Sequence, residues 1–233
     1  MSGLVSVSFA RLGAIGVLYT VLGTSLLCAA DFSNYRGFQL GMSLAAAEKQ
    51  AGMQASDVKV VHQRPAVIQE LEWQPRFGAF TDPLKGDPVK EGLLCFLDGS
   101  LFRIVVTYDR YKVEGLTTED IIGAISTTYG PAVKPAAEIA YHSYYGDTAP
   151  VLARWEDADY SYNLVRAGDR ASFALILYSK KLDALAETAI AEAARLDAQE
   201  APQRELDKQK KQDAEDQLVL DKARSANKPN FRP

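Results

Sequence analysis

The stretch LLCFLDGSLFRIVVTYD, residues 93–109, constrains the fold more than any other part of the chain. Asp98-Gly99 is a pair suited to the positive-φ positions of a two-residue type I′ turn, and apolar runs flank it on both sides, so the segment is predicted as an antiparallel hairpin. A simple two-residue register sets Leu97 against Ser100 and Cys95 against Phe102. It then places Cys95 on one apolar face with Phe102, Ile104, Val106 and Tyr108. Nothing basic or helix-terminal surrounds Cys95, so it reads as a buried structural thiol and not as a nucleophile.

Helix and strand signals surround this hairpin twice. Ser43 caps a short helix with Leu44, Ala47 and Ala51 on one face, and Gly52 ends it. Strands are predicted near Val58–His62 and over 67–74, the second with Leu71 and Trp73 on one face and Glu70 and Glu72 on a wet one. Residues 75–91 read as a long loop. Beyond the hairpin the order repeats: Thr117 and Asp120 form a capping box at the start of a helix carrying Ile121, Ile122, Ile125 and Tyr129. A loop over 131–150 precedes strands at 152–155, 160–166 and 172–178. In the last of these Phe173, Leu175 and Leu177 alternate with Ala174 and Ile176, the pattern of a strand buried on both faces. The fold class is α+β: antiparallel sheet built from two helix-plus-meander halves, 31–112 and 113–179. Halves this small bury little surface alone, so they share one sheet or pack face to face.

The segment GFQLGMSLAAAEKQAG, the Trp-bearing strand and the hairpin FLDGSLFRIVVTY together resemble the repeat of the BamE (SmpA/OmlA) and beta-lactamase-inhibitor-like superfamily. The likeness covers roughly Phe38 to Tyr108 and, in weaker form, Gly115 to Tyr178. It implies small extracytoplasmic modules with a helical start at a Leu-Gly-Met-Ser/Thr motif and an antiparallel sheet. The whole chain also resembles an uncharacterised family of secreted bacterial proteins, a membership that implies no activity. The chain departs from the superfamily modules in lacking a lipobox and in its long C-terminal extension, and no binding residues carry over.

Both ends of the chain differ in texture from this body. Leu12 to Ala30 is an uncharged apolar run behind Arg11, which reads as an export signal (1–30) cleaved after Ala30. Uncleaved, residues 12–30 would be a membrane anchor; lipidation at Cys28 is disfavoured by Leu27. Each reading places the body in the periplasm or outside the cell. Cleavage would remove Cys28 and leave Cys95 without a disulfide partner. From Lys180 to the C-terminus the chain reads as a helical arm. Its first part carries an apolar stripe of Leu182, Leu185, Ala186, Ala189, Ile190, Ala193 and Leu196, to be docked on the sheet or on another chain. Pro202 is expected to interrupt it. Residues 203–224 form a solvated helix or a partner-binding one, with a disordered tail after it.

Activity is harder to read. The formal charge is -4, which argues against nucleic acid as a general partner. With two His and two Cys and no GxSxG, HExxH, CxxC, P-loop or GxGxxG, no catalytic residue, cofactor or metal site is assigned. His62 reads as a surface histidine, and Glu156, Asp157 and Asp159 as a hairpin turn. The candidate binding residues are Tyr141, His142, Tyr144 and Tyr145, in the loop over 131–150, and Tyr108, Arg110 and Tyr111, at the junction of the halves. The reading is a non-enzymatic protein that acts by protein–protein contact in the bacterial cell envelope, partly through the arm. An envelope enzyme or small-ligand binder using the cleft between the halves is the alternative.

Overall fold

The structure, a computed structural model, describes residues 30–75, 86–140, 148–167, 172–230 and 232. Cys28 and the rest of the apolar N-terminal segment before Ala30 lie outside them. In chain order the elements are β1 (Asn34–Tyr35), β2 (Phe38–Gln39), α1 (Leu44–Ala51), β3 (Val58–His62), β4 (Ile68–Trp73), β5 (Val89–Leu97), β6 (Ser100–Tyr108), α2 (Thr118–Tyr129), β7 (Glu138–Ala140), β8 (Thr148–Glu156), β9 (Tyr160–Ala167), β10 (Ser172–Ser179) and α3 (Lys180–Asn227). β1 and β2 form a small ribbon. The other eight strands make one antiparallel sheet in the order β3-β4-β5-β6-β10-β9-β8-β7. The fold is therefore α+β. Each half supplies a helix and a four-stranded meander, and the last strands of the two meanders, β6 and β10, meet in the middle.

Local devices start the two helices where the sequence places them. Ser43 Oγ accepts from the Ala46 amide at 3.3 Å, and Gly52 ends α1 with φ 67°. The Leu-Gly-Met-Ser segment does more than cap. The Gly41 amide donates to Leu101 O (2.7 Å), the Leu101 amide to Met42 O (2.9 Å) and the Leu44 amide to Gly99 O (2.8 Å). These bonds extend the sheet along β6 just past the last β10 rung, Tyr178 against Arg103, and fasten α1 to the Asp98-Gly99 turn. At α2, Thr117 Oγ1 accepts from the Asp120 amide at 3.1 Å, while Asp120 Oδ2 accepts from the Thr117 amide at 2.8 Å. Thr117→Ala removes both side-chain bonds made by the cap hydroxyl and is expected to cost about 1 kcal/mol in urea unfolding.

α1, α2 and the β1–β2 ribbon cover one face of the sheet, with a core that includes Phe38, Ala47, Leu71, Phe96, Ile104, Ile121, Trp155 and Tyr162. α3 and the β7–β8 hairpin cover the other. On this second face Ile68, Cys95 and Phe102 meet Ala186 and Ile190 of α3, and Ile139 and Ala149 of the hairpin meet Val105, Val165, Ala174 and Ile176. Phe173, Leu175 and Leu177 point to the first face and Ala174 and Ile176 to the second, so β10 is buried on both sides.

The expected hairpin register needs correction. Leu97 does pair with Ser100, but Phe96 pairs with Leu101 and Cys95 with Arg103. Phe102 is thus an extra residue, a β-bulge, and one extra residue reverses the facing of everything after it. Cys95 shares its face with Phe102, whereas Ile104 and Val106 lie on the opposite one. Glu70 is likewise not on a wet face: it is buried, 6% exposed.

Three further expectations differ from the structure. The long loop closes before Val89, because β5 continues the pairing with β6 to Tyr108; residues 76–85 lie outside the described ones. The stretch read as a loop over 131–150 holds β7 and the first rungs of β8, a pairing too short to show alternation. Finally, α3 runs through Pro202 as one helix of 48 residues, about 72 Å long. Proline removes one helical bond and crowds the carbonyl a turn before it; Arg204 Nη2 reaches back to donate to Asp197 O at 3.0 Å and Asp197 Oδ1 at 2.8 Å, bracing the turn that proline loosens. The buried stripe of α3 is Asp183, Ala186, Ile190 and Ala193, with Leu185 52% exposed. A 3-10 turn at Lys228–Asn230 follows the helix.

Only the first part of α3 rests on the sheet. Arg64, after β3, pairs with Glu200 through both nitrogens of its fork, one bond at 2.7 Å, and from Ala201 to Asn230 every residue is exposed. Truncation after Glu200 is therefore expected to change unfolding free energy by less than about 0.5 kcal/mol, measured in urea against the full chain.

Candidate functional site

The two groups of candidate residues have different fates. Tyr141, His142, Tyr144 and Tyr145 lie outside the described residues. Their flanks are described: Ala140 ends β7 and Thr148 begins β8. The Ala140 carbonyl accepts from Arg103 Nη1 at 3.1 Å, which fixes the end of β7 to the arm face of the sheet.

The second group, Tyr108, Arg110 and Tyr111, does not form one surface. Tyr108 turns inward to the first-face core, where burial pushes its phenol well above the ordinary tyrosine value. Arg110 and Tyr111 turn out. The Arg110 guanidinium lies 4.9 Å from the centre of the Tyr111 ring, and Tyr111 is 72% exposed.

Arg110 opens onto a pocket of about 240 Å³ at the junction of the halves, shared with Val113, Glu114, Leu116, Arg166 and Phe173. The backbone turn after β6 builds one wall: the amides of Lys112 and Val113 donate to Asp109 O, and Leu116 to Val113 O. Gly115, with φ 80°, makes the bend into the α2 cap. β9 and β10 supply the other wall through Arg166 and Phe173. Nothing in the local sequence marked Arg166, because the pocket forms only when β9 comes alongside the start of α2.

A tyrosine cluster beside Tyr108 also escaped notice. Phe32, Tyr129 and Tyr162 pack with ring centres 4.7–5.5 Å apart, and the Tyr162 hydroxyl donates to Asn34 O at 3.0 Å. Burial raises the phenols of Tyr129 and Tyr162 above the ordinary tyrosine value and pushes nearby Tyr35 up to about 12. At the rim Arg36, in the left-handed region at φ 53°, makes a two-pronged pair with Asp87, one bond at 2.9 Å. Partial burial works to raise Asp87, but hydrogen bonds from Arg36 and from the Val89 amide outweigh it and hold the carboxyl below its ordinary 3.8. A lowered folded value adds stability above the unfolded value that is lost as pH falls through the folded one. Asp87→Asn is therefore expected to flatten the fall in stability below about pH 4, read from urea titrations at stepped pH.

Other candidate groups have structural roles. Cys95 is buried, and burial drives its thiol far above the reactive range. Asp157 Oδ1 accepts from the Asp159 and Tyr160 amides at 2.8 and 2.7 Å, closing the β8–β9 turn, and Glu156 pairs with Lys180 at 2.9 Å. His62 ends β3, half-buried. Beside β3 and β4 runs an open groove of about 600 Å³ that includes Met53, Asp57, Lys59, Glu70, Glu72 and Trp73. Among the described residues, no group of three or more His, Cys, Asp or Glu side chains gathers as a metal site requires, and no helix is long and apolar enough to cross a membrane.

Comparison with protein-family models, with curated proteins and with solved structures gives no match. The functional reading therefore rests on the residues themselves.

Proposed function

We propose that the chain is a non-enzymatic extracytoplasmic protein that acts through protein–protein contact in the bacterial cell envelope, with the free part of α3 as its contact element. One observation carries the reading: residues 201–230 are exposed throughout, and among them Leu206, Leu218, Val219 and Leu220 are 50–64% exposed. Exposed apolar side chains on a helix away from the body are suited to covering by a partner. The export segment and the resemblance to envelope modules support the compartment. A photo-crosslinking residue at Leu218 in the full chain is expected to trap a discrete partner in intact cells, whereas one at Ser56 on the body traps none. No discrete adduct at Leu206, Leu218 or Leu220 would overturn the role of the arm. A mature N-terminus beginning at Asp31 is the accompanying expectation, and an unprocessed cytoplasmic chain would overturn the compartment.

The alternative, an envelope enzyme or small-ligand binder in the cleft between the halves, draws support in its ligand-binding form from the junction pocket.

A further inference from the structure

The apolar stripe of α3 is wider than the sheet covers. Asp183, Ala186, Ile190 and Ala193 are buried against the body, whereas Leu185 is 52% exposed and Ala189 and Leu196 are only half-buried. These last three begin a second line along the helix, which continues through Glu192, Gln199, Gln203, Leu206 and Lys210. Its members are spaced alternately four and three apart, the spacing that keeps one side of a helix turned to a partner helix. The line crosses Glu200 without a break, so half of it lies on the docked part of α3 and half on the free part, where Leu206 is 50% exposed.

The two halves of that line complement each other about Ala201. A second copy laid antiparallel, with Ala201 level with the partner's Ala201, sets Leu196 against the partner's Leu206, Gln199 against the partner's Gln203 and Glu192 against the partner's Lys210, and symmetry makes each meeting twice. A shift of one heptad loses both the Leu–Leu and the Glu–Lys meetings: it brings Leu196 to the partner's Asp213 in one direction and Leu185 to the partner's Lys210 in the other. In the single chain these charges pair only along their own helix, Glu192 with Arg195 at 2.6 Å and Lys210 with Asp207 at 3.9 Å. Exposed pairs of that kind are worth little, so exchanging them costs little. Gln203 Nε2 donates to Asp207 Oδ1 at 2.9 Å, which leaves its amide oxygen to accept from the partner's Gln199. We propose that α3 pairs antiparallel with α3 of a second copy, the free part of each arm lying along the docked part of the other. The proposal rests on the reading of the free arm as a contact element and names its partner. Many of the meetings are polar, which fixes the register and weakens the dimer, to a dissociation constant of about 10–100 μM.

Sedimentation equilibrium of the full chain is expected to show a reversible dimer. Glu192→Lys or Lys210→Glu alone sets like charges together at both meetings and is expected to weaken the dimer at least about tenfold. The double variant, Glu192→Lys with Lys210→Glu, reverses both charges and is expected to return to within about threefold of the parent. Both side chains lie on the surface, 38% and 74% exposed, so the variants keep the fold, checked by an unchanged far-ultraviolet dichroism spectrum. The pairing is overturned by a chain that stays monomeric up to about 1 mM, by single variants that associate like the parent, or by a double variant no better than the singles. In cells, a photo-crosslinking residue at Leu206 is expected to give an adduct of two copies. An adduct with a different protein overturns the self-pairing and leaves the contact role of the arm standing, whereas no adduct overturns both.

Discussion

Asp183→Ala is expected to destabilise the protein by about 3–5 kcal/mol in urea unfolding, because it strands a guanidinium in the interior. Arg103 sits in β6 with its side chain 1% exposed, and its Nε and Nη2 each donate to the Asp183 carboxylate at 2.8 Å. Ala140 O accepts a further hydrogen bond, from Nη1, at 3.1 Å, Glu187 lies 3.6 Å away, and the Tyr178 ring centre is 5.7 Å from the guanidinium carbon. Burial works against the charge on Arg103, but the bonds to Asp183 more than offset it. The apolar contacts that seat α3 are modest, mainly Leu182, Ala186 and Ile190, so the ion pair decides whether the arm lies down. The double variant Arg103→Met with Asp183→Leu removes both charges and is expected to fall within about 2 kcal/mol of the parent. Cys95 reports the same event independently: its thiol resists alkylation in the parent and becomes reactive in Asp183→Ala as α3 lifts. A single variant within about 1 kcal/mol of the parent, with Cys95 still protected, would show that the pair does not hold the arm.

Trp155→Ala is expected to cost a comparable 3–5 kcal/mol on the other face of the sheet. Trp155, in β8, is 2% exposed, and its Nε1 donates to Gly130 O at 3.0 Å and lies 3.2 Å from Ser126 Oγ. The ring therefore fills the core under α2 and satisfies the last turn of that helix in one stroke. Trp155→Phe keeps most of the packing and gives up the hydrogen bonds, for an expected loss of about 1–2 kcal/mol. At roughly 2–4 °C per kcal/mol for a chain of this size, the alanine variant melts about 10 °C lower. Hydrogen exchange locates the damage: amides of α2 lose protection ahead of those of α1. Equal losses in both helices would refute the local role assigned to Trp155.

The devices that the sequence displays openly are those made by close neighbours. Ser43 and Gly52 bracket α1, Thr117 and Asp120 cap α2, and Asp98-Gly99 turns β5 into β6 because each uses groups a few residues apart. The alternation of β10 also reads directly, since facing is a property of the strand itself. The bulge at Phe102 does not: SLFRIVV carries no glycine or proline to flag an extra residue, and the facing of Ile104 and Val106 depended on it. Pro202 misled for the opposite reason, because its local cost is real and the brace from Arg204 comes from outside the broken bond. Of the candidate site, Arg110 was legible as a charged residue at a junction, but Arg166 was not, being 56 positions away and ordinary in its own strand. One signal for the second face went unused. A lone arginine inside the apolar run of β6 and an aspartate in register with Ala186, Ile190 and Ala193 on α3 are each anomalous alone, and together they describe one buried pair.

The order of strands also sets how the chain must fold. Every neighbouring pair in the large sheet joins consecutive strands except β6 and β10, where Val105 meets Ile176, about 70 residues later. Pairings on either side close over at most 15 residues, the number between Trp73 and Val89; the central seam must wait for both meanders and carries most of the entropy of long-range closure. Since β10 runs directly into α3, the arm takes its place only after that seam has formed. Folding speed is therefore governed at the middle of the sheet, and substitutions at Val105 or Ile176 slow folding where those at the sheet's outer edges chiefly hasten unfolding.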